Sequence, residues 1–227
     1  MNMPLNIISA GAAMGLVKQL LGDAVTGSYG AVGAMHDKFL AGEPCDLLIL
    51  ARKQLDELAA AHALSANSIV NIGFVKTGIA TRTDSPTPDV RDSSRLRTAF
   101  LAASRIYTPD MTKSTAGQHV AKMIGALGIM DAVKHKLSEH PNGAIAMKTM
   151  ASDAVGHPIG CTQATEILYT PGVKLTDLLP AEYELSTLYS VAVPARSQHA
   201  VAAQALLIQL VNASTLEQRR SAGFEMA

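Results

Sequence analysis

Thr26-Gly27-Ser28-Tyr29-Gly30-Ala31-Val32-Gly33 is the stretch around which the rest of the chain can be read. It follows the short apolar run Ala24-Val25 and opens a helix toward Phe39-Leu40. Its glycines allow a tight turn and close approach of the backbone to a bound group, and Ser28 and Tyr29 add hydroxyls. A helix start also presents unpaired N–H groups and the positive end of a dipole, which suits an anion. A second stretch of the same design lies upstream, where the strand-like Leu5-Asn6-Ile7-Ile8 runs into Ser9-Ala10-Gly11-Ala12-Ala13 and then a helix. Two such turns facing one cleft would hold an oxyanion or a carboxylate. Neither fits a sharper motif. Gly27, Gly30 and Gly33 do not make the G-x-G-x-x-G of dinucleotide folds, and no Gly-Lys-Ser/Thr of a P-loop occurs. Thr26 stands where a nucleophile elbow needs glycine, so a serine hydrolase does not fit.

Composition narrows the classes. At 227 residues, 48% hydrophobic, the chain can bury one large core or two small ones. Lys plus Arg and Asp plus Glu balance at 19 each, which leaves no broad basic face for nucleic acid. Trp is absent and aromatics make up 4%, so base-stacking platforms are not expected either. Cys45 and Cys161 stand far apart without a C-x-x-C and read as two reduced thiols. The seven histidines form no H-E-x-x-H, and His135 and His140 read as surface residues of a polar connection. No metal and no cofactor is expected. No apolar run approaches the ~20 residues of a membrane helix, so no membrane partner is expected. Met1-Asn2-Met3-Pro4 passes at once into the first strand without a charged or apolar leader. The simpler expectation is a cytoplasmic chain; the other is a leader removed and a new Met supplied. The sequence does not give the oligomeric state.

Strand-like and helix-like periods alternate almost throughout, as in a parallel α/β sheet. Asp46-Leu47-Leu48-Ile49-Leu50 suits a strand buried on both faces, and Arg52 to Ala63 carries Leu55, Leu58 and Ala59 at helical spacing. Residues 69–82 are extended, and Asp84-Ser85-Pro86-Thr87-Pro88-Asp89 is the strongest linker signal. Ser93 is placed to cap a helix with Leu96, Phe100 and Leu101, and Arg105-Ile106-Tyr107 makes a short strand. A long helix after Ser114 ends at Gly128, a strand is expected over 133–137, and Asn142-Gly143 opens a helix to Met150. His157 to Cys161 is strand-like and 185–193 extended; a helix over 198–211 and a shorter one capped by Ser214 close the chain.

The order of these pieces resembles the molybdate-binding family of periplasmic solute-binding proteins. The likeness rests on Ser9-Ala10-Gly11, Gly27-Ser28-Tyr29-Gly30-Ala31, the segment from Ala41 to Ile49 with Gly42, Pro44 and Asp46, Ser114-Thr115-Ala116-Gly117, the segment from Gly160 to Glu166, and Leu188 to Val193. The resemblance implies an α/β, two-lobed type 2 periplasmic-binding-protein fold with two crossover strands. Residues 1–82 and 185–227 would form lobe 1 and 83–184 lobe 2, with the ligand held between them. It also places Tyr29 where family members carry a serine and Gln163 where they carry a tyrosine. A tetrahedral oxyanion wants small converging donors, so this exchange points to an organic acid, as in the cytoplasmic aconitate isomerase-type relatives.

The expected substrate-binding residues are Ser9, Ala10, Gly11, Ser28, Tyr29, Thr115, Ala116, Gly117, Thr162 and Gln163. Ser9 and Ser28 stand either as donors to an anion or as local caps, and the start at Thr115 either as donors or as plain helix capping. Tyr29, Ser28 and Glu166 are the candidate catalytic groups; the other reading of Glu166 is a tie at a helix start. Arg52 and Lys113 read as solvated surface charge, and His119 as packed or facing water. The partner expected is a small anionic organic substrate. The first function is isomerisation of a double bond in a small unsaturated di- or tricarboxylic acid. The alternative is a solute-binding protein that delivers an oxyanion or organic acid to an ABC transporter, and a cytoplasmic sensor is a third reading.

Overall fold

The computed structural model describes residues 3–65, 67–154 and 156–226. Met1 and Asn2, on which the leader reading begins, lie outside the described residues. The chain forms two compact units, Met1–Val75 with Thr187–Ala227, and Lys76–Ser186.

In the first unit β1 (Leu5–Ala10) passes through a 3-10 turn at Gly11–Ala13 into α1 (Met14–Leu20). There follow β2 (Val25–Gly30), α2 (Val32–Leu40), β3 (Leu47–Ala51), α3 (Arg52–Ala60) and the start of β4 (Val70–Arg82). β1 lies between β2 and β3 and is parallel to both, with Ala10 opposite Gly30 and Ser9 opposite both Tyr29 and Ile49. Every residue of β3 is buried, as its unbroken apolar run requires of a central parallel strand. Ile7, Leu48 and Leu50 pack with Leu16, Phe39 and Leu55 from the helices.

The second unit takes the rest of β4, then α4 (Ser93–Ala102), β5 (Ile106–Pro109), α5 (Thr115–Ala126), α6 (Met130–Val133) and β6 (Leu137–His140). It ends with α7 (Gly143–Ser152), β7 (Ile159–Gln163), α8 (Ala164–Tyr169) and β8 (Val173–Leu178). β5 runs parallel to β6 and to β7, while β7 and β8 are both antiparallel to β4. α5 turns Val120, Met123 and Ile124 inward and stops before Gly128, whose φ of 66° suits glycine. The chain returns to the first unit along β9 (Ser186–Ala192), antiparallel to β3, and closes with α9 (Ala200–Val211) and α10 (Leu216–Ser221). Among the described residues no single helix is long and apolar enough to cross a membrane; the bent pair formed by α9 and Ala213–Ser221 meets that test by length and composition.

Several expectations change. Thr26 to Gly30 is not a turn but part of β2, so the helix begins only at Val32. Gly27 is required there by closeness: a Cβ on it would lie 1.9 Å from the Ile7 carbonyl oxygen. The chain leaves the first unit between Val75 and Lys76, within β4, rather than after residue 82, and the Pro-rich segment 84–89 lies in the second unit, as the expected lobe 2 has it. The expected strand at 133–137 is the end of α6, a 3-10 turn over Lys134–Lys136 and the first residue of β6. Asp92, not Ser93, caps α4, and Asn212, not Ser214, caps the turn before α10. His140 is no surface residue of a loop: it sits in β6, half-buried, with its ring stacked 5.9 Å from that of Tyr107. Both cysteines are free and buried, and burial pushes both thiols well above their ordinary value.

Candidate functional site

Three strands of the first unit, β2, β1 and β3, are parallel neighbours, and each ends in a helix start at its carboxyl end. The residues at these junctions are Ala10, Ala31 and Ala51, and none makes a side-chain cap. Ser, Thr, Asp or Asn ordinarily stands there and occupies an early N–H. Alanine cannot, so the amides that follow Ala10, Ala31 and Ala51 receive no side-chain acceptor at the cap. An open α/β sheet takes ligands at this end of its strands, and several uncapped helix starts in one row attract acceptor oxygens.

The expected residues fall on both sides of this row. Ser9 and Tyr29 are register partners one residue before the ends of β1 and β2, so their side chains share a face of the sheet. Ser9 is fully buried, with its hydroxyl donating to the Ala10 carbonyl at 3.0 Å, and Tyr29 is half-buried against the apolar core. Ser28 points to the opposite face, because neighbours on a strand alternate. There the Lys38 ammonium donates to its Oγ at 3.3 Å and pairs with Glu43 at 3.1 Å. The fold therefore separates Ser28 from Tyr29. Arg52 donates to Asp56 at 2.7 Å and to the Asn71 side-chain oxygen at 3.0 Å; Lys113 is exposed.

The second unit treats its helix starts differently. Ser114 Oγ accepts from the Gly117 N–H at 3.3 Å, so the Gly117 amide belongs to a cap and is not available as the expected anion donor. Gly117 itself is needed for closeness, since a Cβ would come within 2.1 Å of the Asp110 carbonyl oxygen. Thr115 is half-buried and Ala116 buried in the same first turn. Asn142 accepts from the Ile145 N–H at 2.9 Å and caps α7. Glu166 is buried and accepts the Thr162 hydroxyl at 2.6 Å together with the N–H groups of Gly143, Ala144 and Gln163. Burial raises its carboxyl above the ordinary value, against the lowering by these donors. Its carboxylate thus ties the starts of α7 and α8 together, and that occupation displaces the expected role of base. His119 Nε2 meets the Tyr183 carbonyl oxygen at 2.7 Å.

Gln163 is the exception in this unit. It ends β7 and precedes α8, it is 3% exposed, and neither atom of its side-chain amide has a hydrogen-bond partner. Thr77 Oγ1 and Thr165 Oγ1 are buried and unpartnered as well. The sequence reading singled out Gln163 but passed over Thr77, whose relevance comes only from its place opposite Gln163 in the β4–β7 register. It also passed over Ala31 and Ala51 as cap positions. Alanine at each strand-to-helix junction was the available signal.

The likeness to known proteins agrees with this architecture. A curated aconitate isomerase from a Pseudomonas species is 25% identical over 224 residues, covering 92% of this chain and 82% of that protein. The periplasmic molybdate-binding protein of Azotobacter vinelandii superposes with a TM-score of 0.79 at 17% identity, covering 98% of this chain and 99% of the other. The sulfate-binding protein SubI of Mycobacterium tuberculosis superposes with a TM-score of 0.72 at 16% identity, covering 100% of this chain and 88% of the other. These structures share the fold, that of periplasmic solute-binding proteins. The profile of one family matches residues 12–225, and on that match the chain belongs to the bacterial extracellular solute-binding proteins.

Proposed function

We propose that the protein is a cofactor-independent isomerase that shifts the double bond of a small unsaturated di- or tricarboxylic acid. The observation that carries this reading is the likeness to an aconitate isomerase along 92% of the chain. The bare helix starts after Ala10, Ala31 and Ala51 support it, because fixed amides meet carboxylate oxygens without a competing cap. In the reaction an allylic C–H proton leaves, its electron pair spreads into a dienolate, and a proton returns at the far carbon of the allyl unit. Amides already fixed in place stabilise the dienolate oxygens as charge develops on them. Tyr29, or a bound water, carries the proton between carbons. Ser28 and Glu166 are left out of that role because Lys38 holds the first and the helix starts hold the second.

The second reading is a binding protein that delivers an oxyanion or organic acid to an ABC transporter. The family and the molybdate- and sulfate-binding neighbours favour it. Incubation with trans-aconitate and with ring-cleavage acids in deuterated water, followed by NMR, separates the two. The isomerase reading expects a shifted double bond and deuterium at the allylic carbon. Tight binding with neither change leaves the transport reading in its place.

A further inference from the structure

The unpaired polar atoms of the second unit ask for a particular kind of ligand group. Thr77 and Gln163 are register partners across the antiparallel pair β4–β7, so their side chains stand on one face. They are 1% and 3% exposed. The Thr77 backbone is satisfied, its N–H donating to the Leu185 carbonyl and its carbonyl accepting from the Leu179 N–H, both at 3.1 Å. The neighbouring Thr162 hydroxyl is committed to Glu166. On the face that Thr77 and Gln163 share, what remains unpaired is the Thr77 hydroxyl and the whole Gln163 amide; the Thr165 hydroxyl, in the first turn of α8, is unpaired as well. Buried polar groups in native proteins nearly always have partners, and those that lack one point to a missing molecule.

A primary amide offers two N–H donors and a carbonyl acceptor, and exchanging its O and N leaves that inventory unchanged. A fully deprotonated oxyanion or carboxylate brings acceptors alone. It would satisfy the Gln163 Nε2 donors and the Thr77 hydroxyl and leave the Gln163 carbonyl oxygen stranded. A hydroxyl, a protonated carboxyl or a protonated oxyanion satisfies both sides of the amide. We propose that Gln163, with Thr77 beside it, selects a ligand that presents a hydroxyl or other protonated oxygen over one that presents only bare anionic oxygens. This rests on the carboxylic-acid reading above for the ligand class, and an unsaturated acid without a hydroxyl would meet Gln163 through one protonated carboxyl.

Calorimetry on the full chain with two matched pairs tests it. Citrate and propane-1,2,3-tricarboxylate differ by one hydroxyl, and hydrogen phosphate and sulfate by one protonated oxygen. In each pair that binds, the donor-bearing member is expected to bind roughly 10- to 100-fold tighter, the range set by leaving one buried acceptor unpaired. Gln163→Leu should bring that ratio close to one. Without ligand, the Gln163→Leu protein should melt no lower than the wild type, because an apolar side chain removes the unpaired amide. Equal affinities within each bound pair, a ratio that survives in Gln163→Leu, a lower melting temperature of that variant, or binding of neither pair overturns the inference. Both carboxylates binding equally well removes the inference and leaves the carboxylic-acid reading intact. Phosphate preferred over sulfate with no binding of either carboxylate removes that reading and leaves the inference.

Discussion

The two units build the same junction in opposite ways. Each sets parallel strands side by side and starts a helix at their carboxyl ends, but the first places alanine at the cap positions 10, 31 and 51. The second uses Ser114 and Asn142 as caps, and Glu166 accepts further N–H groups around the start of α7. A capped helix start has spent its donors on its own chain, whereas a bare one keeps them for something else. The first unit therefore asks for acceptor oxygens. The second has capped the starts of α5 and α7 and leaves the Gln163 amide, with the Thr77 and Thr165 hydroxyls, buried and unpaired.

The strongest way to break the first half of that contrast is Gly27→Ala. The β1–β2 register sets Ala10 opposite Gly30 and so holds two bare starts side by side. A methyl group at 27 would lie 1.9 Å from the Ile7 carbonyl oxygen, in backbone that cannot give way locally. Urea unfolding should show a loss of about 3 kcal/mol or more. A variant with wild-type stability would mean that the two strands are not held in this register.

Glu166→Gln probes the second half. If the carboxylate ties the starts of α7 and α8, the amide that replaces it turns N–H groups toward N–H groups, and unfolding should show about 1–3 kcal/mol lost. The pH dependence has a definite sign. A carboxyl raised above its ordinary 4.5 in the folded protein contributes stability that is fully present below that value and is lost as pH rises through the raised one. The cost of the substitution should therefore be largest on the acid side and shrink with rising pH. A catalytic base would instead lose turnover at unchanged stability, so unfolding and rate measured together on this variant separate the two roles.

Much of the fold was legible because period and punctuation agreed. The apolar run after Asp46 suits a buried strand and forms one, and the long stretch after Ser114 that stops at Gly128 suits a helix with a glycine stop and forms one. Thr26 to Gly30 misled because a glycine-rich strand and a turn look alike when no alternation marks a buried face. Gly27 is there for the close approach of Ile7, a contact between chain segments that local sequence does not record. The site was harder for the same reason. Ser28 looked like a donor until the strand's alternation turned it toward Lys38, and Thr77 gained meaning only when β7 lay beside it. Glu166 could be read two ways in sequence, and its partners at the starts of α7 and α8 favour the structural one.

A smaller effect is expected where the second unit loses a cap. Ser114→Ala and Asn142→Ala each free an N–H of α5 or α7 and should cost about 1 kcal/mol in thermal or urea unfolding. With the Ser114 cap removed, the start of α5 comes to resemble those of the first unit, so Ser114→Ala should also gain some affinity for sulfate. No change in either quantity would mean that the caps contribute nothing to the difference between the units.

The converse exchange is the smallest in stability and the most telling. Ala31 precedes α2 with φ −59° and ψ 143°, an extended conformation from which a cap side chain can reach the first turn. Ala31→Asp would place a carboxylate on those amides, where the cap and the favourable end of the helix dipole act together. The ligand-free protein should gain roughly 0.5–1 kcal/mol, read as a higher midpoint in urea. The same carboxylate occupies the donors that an anionic ligand would use and repels the ligand's charge, so affinity for any carboxylate that binds the wild type should fall at least about tenfold. Stability and affinity thus move in opposite directions in one variant. A ligand merely resting near α2 would not produce that pairing, and a variant that gains stability while binding as tightly as the wild type would show that the α2 start is bare for some reason other than recognition.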